Sequence, residues 1–305
     1  MNELEKRMIS NPQQLCYARR MMFCDGRAAG MRVIECANGE LNFSVTEDKC
    51  LDISRLYFRG KNIAFLSKNG FASQGSFDNA FPGGMLYTCG LDSLSQREGH
   101  EMHGRIHNIP AENVSIESGE RLKITGTIRD TALFGQNLEI QRTIFTEYGK
   151  PVLCLHDILT NRGWKPAEFA LLYHINFGYP VLTPAVTIEG DFGTPGAYDD
   201  WAQSNIDNFR CFDYPSDTDP EQCFFFYERS GCVRVVSPDA GIAIKLHYSR
   251  DTLPCLTEWK SPISGDYALG IEPATTHMGK YFTYSTLEVG ESREFWIKLE
   301  FEELG

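Results

Sequence analysis

Three histidines lie close together in one short stretch of the chain, beside an arginine and a carboxylate. The stretch comprises residues 99–110, and its histidines are His100, His103 and His107, three of the seven in the sequence. Glycines and a proline interrupt it, which is typical of a site-forming loop rather than of a regular core element. Imidazoles in such a loop can transfer protons, bind hydroxyl groups or hold a metal ion.

Titratable residues also stand at the ends of three predicted strands. His103 follows the apolar strand that ends in Gly90-Leu91-Asp92, His174 lies near the end of segment 168–176, and Glu272 follows segment 267–271. A carboxyl or imidazole group partly shielded by a sheet can have its pKa moved towards neutrality. An acid and a base drawn from distant strands can then move protons in both directions. The alternative at each position is a structural residue that is hydrogen-bonded at a strand end.

Short strands separated by turns must position these residues, and their regular spacing predicts an all-β, antiparallel fold. Segments 31–36 and 41–45 flank Asn38-Gly39, a strong hairpin signal, and segments 55–59 and 63–66 flank Gly60. A short helix is expected within residues 12–21. Residues 179–219 are rich in Pro, Gly, Asp and Asn and predict a long loop or crossover with little regular structure, and a long loop in a compact domain is usually functional. Further strands are predicted at 114–117, 122–128, 138–146, 152–160, 223–227, 232–236, 242–248 and 295–300.

Length, charge and cysteine content narrow the class of protein. The 305 residues contain no convincing linker, so we expect one domain over residues 1–305, with a poorly defined N-terminal segment 1–22. The net charge of −12 argues against binding to nucleic acid or to anionic membranes. No signal-peptide pattern and no apolar run of about 18 residues is present, so we expect a cytoplasmic protein. The ten cysteines form no C-x-x-C pair and are expected to be reduced thiols.

The motifs at the strand ends resemble the galactose mutarotase-like, or aldose 1-epimerase, superfamily, and in particular its branch called domain of unknown function 4432. Segment 86–92, His103-Gly104-Arg105 and segment 269–274 carry the resemblance, which runs from about residue 30 to the C-terminus. It implies an antiparallel β-supersandwich with a sugar on its concave face. It also implies that His103 lies near the substrate oxygens, that His174 is the general acid and that Glu272 is the general base.

Interconversion of sugar anomers suits these residue types, because it needs one base and one acid and requires neither a metal nor an organic cofactor. Arg105, Asp92 and Lys260 are candidates to bind hydroxyl or acidic groups of the substrate. Aromatic side chains that could stack on a sugar ring are Trp259, Phe81 and Trp201. The relatives tend to have Gly-Gly after the first histidine where this chain has Gly-Arg. Arg105 therefore suggests an acidic or phosphorylated sugar, and the alternative is that it pairs with Asp92 or Glu101.

Two other functions fit the same sequence. One is a non-catalytic carbohydrate-binding protein, which would bind sugars without turnover. The other is a metal-dependent isomerase or hydrolase that uses His100, His103 and His107, although these residues lie on an irregular loop rather than on one helical face. The identity of the sugar and the oligomeric state are left open by the sequence.

Overall fold

The structure is a computed structural model that describes residues 3–95, 98–227 and 229–305. Antiparallel strands dominate it, so the all-β prediction is confirmed. Met1 and Asn2 of the predicted N-terminal segment lie outside the described residues. Within the described ranges, no helix has the length and apolar character needed to cross a membrane.

The strands and helices are as follows in chain order. The strands are β1 (Tyr17–Met22), β2 (Arg32–Ala37), β3 (Leu41–Thr46), β4 (Asp52–Phe58), β5 (Lys61–Asn62), β6 (Leu86–Leu91), β7 (Glu112–Glu117), β8 (Arg121–Thr131), β9 (Asn137–Glu147), β10 (Val152–Asn161), β11 (Ala167–Phe177), β12 (Thr187–Gly190), β13 (Gly196–Ala197), β14 (Gln222–Phe226), β15 (Cys232–Ser237), β16 (Ile242–Tyr248), β17 (Cys255–Ser261), β18 (Ala268–Ala274), β19 (Ser285–Leu287) and β20 (Ser292–Glu303). The short α-helices are α1 (Glu3–Met8), α2 (Phe77–Ala80) and α3 (Asp200–Ser204).

Three sheets are formed from these strands. The first contains β1 to β5 in sequence order, and the second has the order β12-β15-β16-β20-β10-β9-β8-β7. The third has the order β13-β14-β17-β18-β11-β19, with β6 also paired to β11. Strand β11 therefore lies inside the third sheet. It pairs with β18, and its residues 170–175 also pair with β6.

Both faces of β11 are buried, which explains its nearly continuous apolar sequence. Alternate residues such as Leu171 and Tyr173 enter the large core shared with the other sheets. The residues between them, Ala170 and Leu172, enter a smaller apolar cluster on the opposite face. Because side chains alternate along a strand, His174 shares this second face.

Several local predictions are confirmed and others are wrong. The Asn38-Gly39 hairpin joins β2 to β3, and Gly60 joins β4 to β5. However, β5 ends at Asn62, and segment 63–66 forms isolated bridges instead of a strand, because Ala64 bridges to β11 and Leu66 bridges to Gly83.

Tertiary pairing overrides the prediction of an N-terminal helix. The helix expected within residues 12–21 is a single 3-10 turn followed by β1, which pairs along its whole length with β2. The segment 179–219 has little regular structure, as predicted, and contains the short elements β12, β13 and α3. Strand β17 was not predicted, because its buried Glu258 and Lys260 hide the apolar alternation that marks a strand.

Candidate functional site

Strand register places His174 beside Glu272. The ladder between β11 and β18 pairs Leu172 with Ala274 and Ile175 with Ile271, so His174 falls directly opposite Glu272. Residues directly opposite in antiparallel strands project their side chains to the same face. Two residues that lie almost a hundred positions apart in the chain therefore meet on one face of one sheet.

The two side chains are close and almost completely buried. His174 Nε2 lies 3.1 Å from Glu272 Oε1, and the side chains are 5% and 1% exposed. Their relative orientation does not give a hydrogen bond, and neither oxygen of Glu272 nor His174 Nδ1 has such a partner among the described residues. Buried polar atoms without partners are rare in folded proteins and need an explanation. A substrate that supplies the missing partners is one such explanation.

Burial shifts the pKa of both groups towards their neutral forms. It raises the pKa of Glu272 well above the usual 4.5, and the negative charge of Glu221 raises it further. It lowers the pKa of His174 well below 6.5, and the neighbouring His103 adds to this effect. Opposite shifts in two adjacent titratable groups are typical of acid-base sites.

His103 approaches the pair from the loop that follows β6. Its ring centroid lies 5.6 Å from that of His174, and its Nδ1 is 2.8 Å from the carbonyl oxygen of Leu94. Because a carbonyl can only accept, Nδ1 carries the proton and Nε2 retains its lone pair. Burial lowers the pKa of His103 to about 4, so the ring is neutral at neutral pH. The backbone of His103 has a φ of +60°, a conformation that is uncommon outside glycine and is often found at functional sites.

Gly270 has no side chain, so Glu272, His174 and Trp259 can pack closely around it. A Cβ atom at this position would lie 2.5 Å from Glu272 Oε1, 3.0 Å from His174 Cε1 and 3.2 Å from Trp259 Cβ. Trp259 is paired with Gly270 across β17 and β18, so its indole lies beside the acid-base pair. A glycine is therefore required here for a close approach rather than for a turn.

These residues line a cavity of about 380 Å³, a size within the range of small-molecule sites. Aromatic walls are supplied by Phe81 and Tyr198, among others. Glu221 accepts a 2.7 Å hydrogen bond from Trp259 Nε1 and holds the indole in place. The predicted residues His103, His174, Glu272, Trp259 and Phe81 all line this cavity, whereas Trp201 lies on α3 and does not.

The positions of Arg105 and Asp92 correct their assignment as substrate contacts. Arg105 donates hydrogen bonds from Nε and Nη2 to Asp130 Oδ1, at 2.8 and 2.6 Å. Asp92 accepts from the backbone N–H of Arg105 and lies 3.3 Å from His100 Nδ1. All four residues line a separate cavity. Arg105 is therefore paired with Asp130 beside this second cavity and does not line the cavity of His174 and Glu272.

The assignment of Lys260 to the substrate is also corrected. Lys260 and Trp259 are neighbours on β17 and point to opposite faces of the sheet. Lys260 is fully buried, and its Nζ donates to the carbonyl oxygen of Asn208 and to Asp213 Oδ2. Glu258 shares this inner face, where burial raises its pKa to about 8.

The loop histidines do not converge as a metal site would require. His100 approaches Asp92 and His103 bonds to Leu94, whereas His107 lies 2.6 Å from Asp52 Oδ2 and stacks on Tyr87. In the part of the chain that the structure describes, no group of three or more His, Cys, Asp or Glu side chains is arranged to hold a metal ion.

Four carboxylates that line the cavity were missed from the sequence, namely Asp78, Asp199, Glu221 and Asp266. Glu221 immediately precedes β14, so the strand-end criterion applied to Glu272 would also have selected it. Asp199 and the neighbouring Tyr198 lie in segment 179–219, which was expected to be functional but offered no means of choosing single residues.

Comparisons with known proteins support the fold described above. A family model described as Domain of unknown function (DUF4432) matches residues 28–300. A candidate aldose 1-epimerase from Klebsiella pneumoniae has a similar structure, with a TM-score of 0.84 at 19% identity over 93% of this chain and 83% of that chain. A galactose mutarotase-like protein from Clostridium acetobutylicum gives a TM-score of 0.69 at 12% identity, over 95% of this chain and 100% of that chain.

A third similar structure, a candidate aldose 1-epimerase from Escherichia coli K12, has a TM-score of 0.64 at 15% identity over 90% of this chain and 100% of that chain. Among curated proteins, none matches this sequence. The resemblance predicted from the strand-end motifs is confirmed. The chain belongs to the family described as Domain of unknown function (DUF4432) and has the galactose mutarotase-like fold.

Proposed function

We propose that this protein is a carbohydrate-binding enzyme of the aldose 1-epimerase type, which interconverts the α and β anomers of an aldose by acid-base catalysis. The observation that carries the proposal is the pair of Glu272 and His174, 3.1 Å apart on the floor of a cavity beside an indole. The residue types, their burial and their unpartnered polar atoms all support proton transfer to and from a bound molecule.

The reaction needs two proton transfers in each direction. A base removes the proton of the C1 hydroxyl while an acid protonates the ring oxygen, so the bond between C1 and the ring oxygen breaks and a C1 carbonyl forms. Rotation about the bond between C1 and C2 presents the other face of the carbonyl. The same groups then return their protons as the ring closes. We assign the base to Glu272 and the acid to His174.

The pair can share one proton, and burial, which raises the pKa of Glu272 and lowers that of His174, favours its location on Glu272. With that proton on His174, the pair comprises a carboxylate and an imidazolium, which are the base and the acid that the reaction needs. His103 Nε2, with its lone pair, is positioned to accept a hydrogen bond from a sugar hydroxyl.

We propose that the substrate is an uncharged aldose. Among the described residues that line the cavity, Lys68 is the one cationic side chain, and its Nζ is paired with Asp266 Oδ2 at 2.6 Å. Asp78, Asp199 and Glu221 add carboxylates, which accept hydrogen bonds from hydroxyl groups and repel anions. The apolar face of a pyranose ring is complementary to Trp259.

The experiment is to measure α and β anomer exchange by two-dimensional NMR with purified protein and a panel of neutral, carboxylated and phosphorylated aldoses. The proposal predicts acceleration above the spontaneous rate for at least one neutral aldose and less for its 6-phosphate. Binding of sugars without accelerated exchange would identify a carbohydrate-binding protein instead.

A further inference from the structure

Three large apolar side chains are almost fully exposed on two neighbouring turns. Leu133 and Phe134 lie in the turn between β8 and β9 and are 87% and 94% exposed, and Trp164, between β10 and β11, is 96% exposed. The turns are fixed to each other, since the backbone N–H of Arg162 donates to the carbonyl of Asn137 and Asn137 Nδ2 donates to the carbonyl of Arg162. They therefore form one contiguous surface, which we call the turn patch.

The backbone of Phe134 makes this exposure more unusual. Its φ is +62°, the left-handed region that a bulky residue rarely adopts. Such a conformation persists where the surrounding structure fixes it. The turn does so here, because the backbone N–H of Gly135 donates to the carbonyl of Ala132 at 2.9 Å. The turn therefore holds the ring in solvent, where a partner can cover it.

A cavity of about 900 Å³ lies beside the projecting rings and is lined by Phe134, Trp164 and Pro166, among others. The amide donors around it are committed within the chain. Asn161 Nδ2 donates to the carbonyls of Lys165 and Leu287, and Gln136 Nε2 donates to Asp130 Oδ1. Large exposed apolar side chains beside a cavity are typical of a surface that binds another protein.

We propose that the turn patch binds a second copy of this chain, with two-fold symmetry. Such an interface requires one patch that is complementary to itself. This patch has projecting rings next to a cavity that can receive the same rings from the other copy. The charged residues that line the cavity are Lys165 and Glu168, which have opposite signs and can pair across a two-fold axis.

The charges at the cavity and the apolar area of the turn patch support a second copy of the chain as the partner. The whole chain has a net charge of −12, which opposes self-association, but the two charges at the cavity cancel. Burial of two aromatic side chains covers roughly 300–500 Å². A stable interface needs about 800 Å² from each partner, so these two residues would supply about half of it.

The turn patch lies away from the candidate active site. Ala167 lines the patch cavity, and seven residues of extended β11 separate it from His174, a distance of about 23 Å. Dimerisation through the patch therefore leaves the sugar cavity open. The inference does not depend on the proposed function.

The test is sedimentation velocity of the full chain over about 1–100 μM, with wild type, Phe134→Asp and Trp164→Asp compared. The proposal predicts a species of twice the 34.5 kDa chain mass in the wild type. Each variant should weaken dimerisation at least about 30-fold, as removal of a central interface residue does. The control is Tyr214→Asp, which changes another exposed aromatic residue outside the patch and should remain dimeric.

Circular dichroism melts verify that each variant is folded. A wild type that is monomeric at 100 μM would overturn the proposal. A dimer that persists in both folded patch variants would also overturn it, because the interface would then lie elsewhere.

Discussion

Glu272 Oε1 and His174 Nε2 lie 3.1 Å apart because β11 and β18 are paired in one particular register. Shifting that register by one residue would send one of the two side chains to the opposite face. The geometry of the candidate catalytic pair is therefore a property of the sheet rather than of a loop. Rigid elements hold reacting groups more precisely than loops do.

The first prediction concerns the pH dependence of anomer exchange. When the pH falls below the lowered pKa of His174, both groups are protonated and no base remains. When it rises above the raised pKa of Glu272, the shared proton is lost and no acid remains. We therefore expect a bell-shaped profile of kcat/KM, with its lower limb well below pH 6.5 and its upper limb well above pH 4.5. Exchange rates from pH 4 to 9, corrected for spontaneous mutarotation, test this. A rate that rises continuously with pH would contradict the shared-proton mechanism.

The second prediction concerns Glu221, whose negative charge raises the pKa of Glu272. Glu221→Gln removes the charge but keeps an oxygen that can accept from Trp259 Nε1. The upper limb of the pH profile should therefore move to lower pH. The matched control is Glu294→Gln, an exposed carboxylate on β20, which should leave the profile unchanged. A lower rate at all pH values without a shifted limb would mean that Glu221 contacts the reacting sugar instead.

The third prediction concerns Gly270. The Cβ atom of Gly270→Ala would lie 2.5 Å from Glu272 Oε1 and must displace the carboxylate. Because small misplacements of a catalytic group can cost about 100-fold, we expect kcat to fall by roughly 10- to 100-fold. Gly119→Ala is the matched control, since a Cβ atom there meets no atom within 4 Å. Equal activity of the two folded variants would show that the close approach at Gly270 is unimportant.

The fourth prediction concerns the pH dependence of folding stability. It rests on Glu258, whose side chain lies on the face of β17 opposite the cavity. Its folded pKa is about 8, against about 4.3 in an unfolded chain. The folded state therefore binds the proton more tightly. The contribution of Glu258 to the free energy of unfolding is fully present below pH 4 and decreases as the pH rises towards 8.

Each pH unit in that range costs on the order of 1 kcal/mol of unfolding free energy. Glu258→Gln cannot ionise, so its melting temperature relative to wild type should increase from pH 4 to pH 8 and then level off. Thermal melts across this range measure the difference. Parallel curves for the two proteins would show that Glu258 titrates near its ordinary pKa.

Much of this site could be predicted from the sequence, although His174 lies inside β11 and Glu272 inside β18 rather than at the strand ends where they were expected. His103, His174 and Glu272 were found from the sequence, and the structure places all three at one cavity. The roles of these residues in catalysis stay predictions. Periodicity also identified most strands of the three sheets, since alternation of apolar and polar residues directly reflects a sheet with one buried face.

The errors share a physical cause, which is pairing between segments distant in the chain. Arg105 was expected at the substrate because it is adjacent to His103, but Asp130, on another strand, draws its guanidinium away. Lys260 was chosen without knowledge that β17 is a strand, so its direction relative to Trp259 could not be deduced. Sequence spacing alone does not reveal which partner binds a charged side chain.

The most direct test of the central claim is anomer exchange catalysed by Glu272→Gln, measured by NMR on a neutral aldose that wild type accelerates. The variant keeps the size of the side chain but removes the basic oxygen, so exchange should fall by about 10²- to 10⁴-fold with little change in sugar affinity. Glu258→Gln makes the same substitution on the other side of this sheet and should retain wild-type exchange. Wild-type rates in folded Glu272→Gln would contradict the assignment of Glu272 as the base.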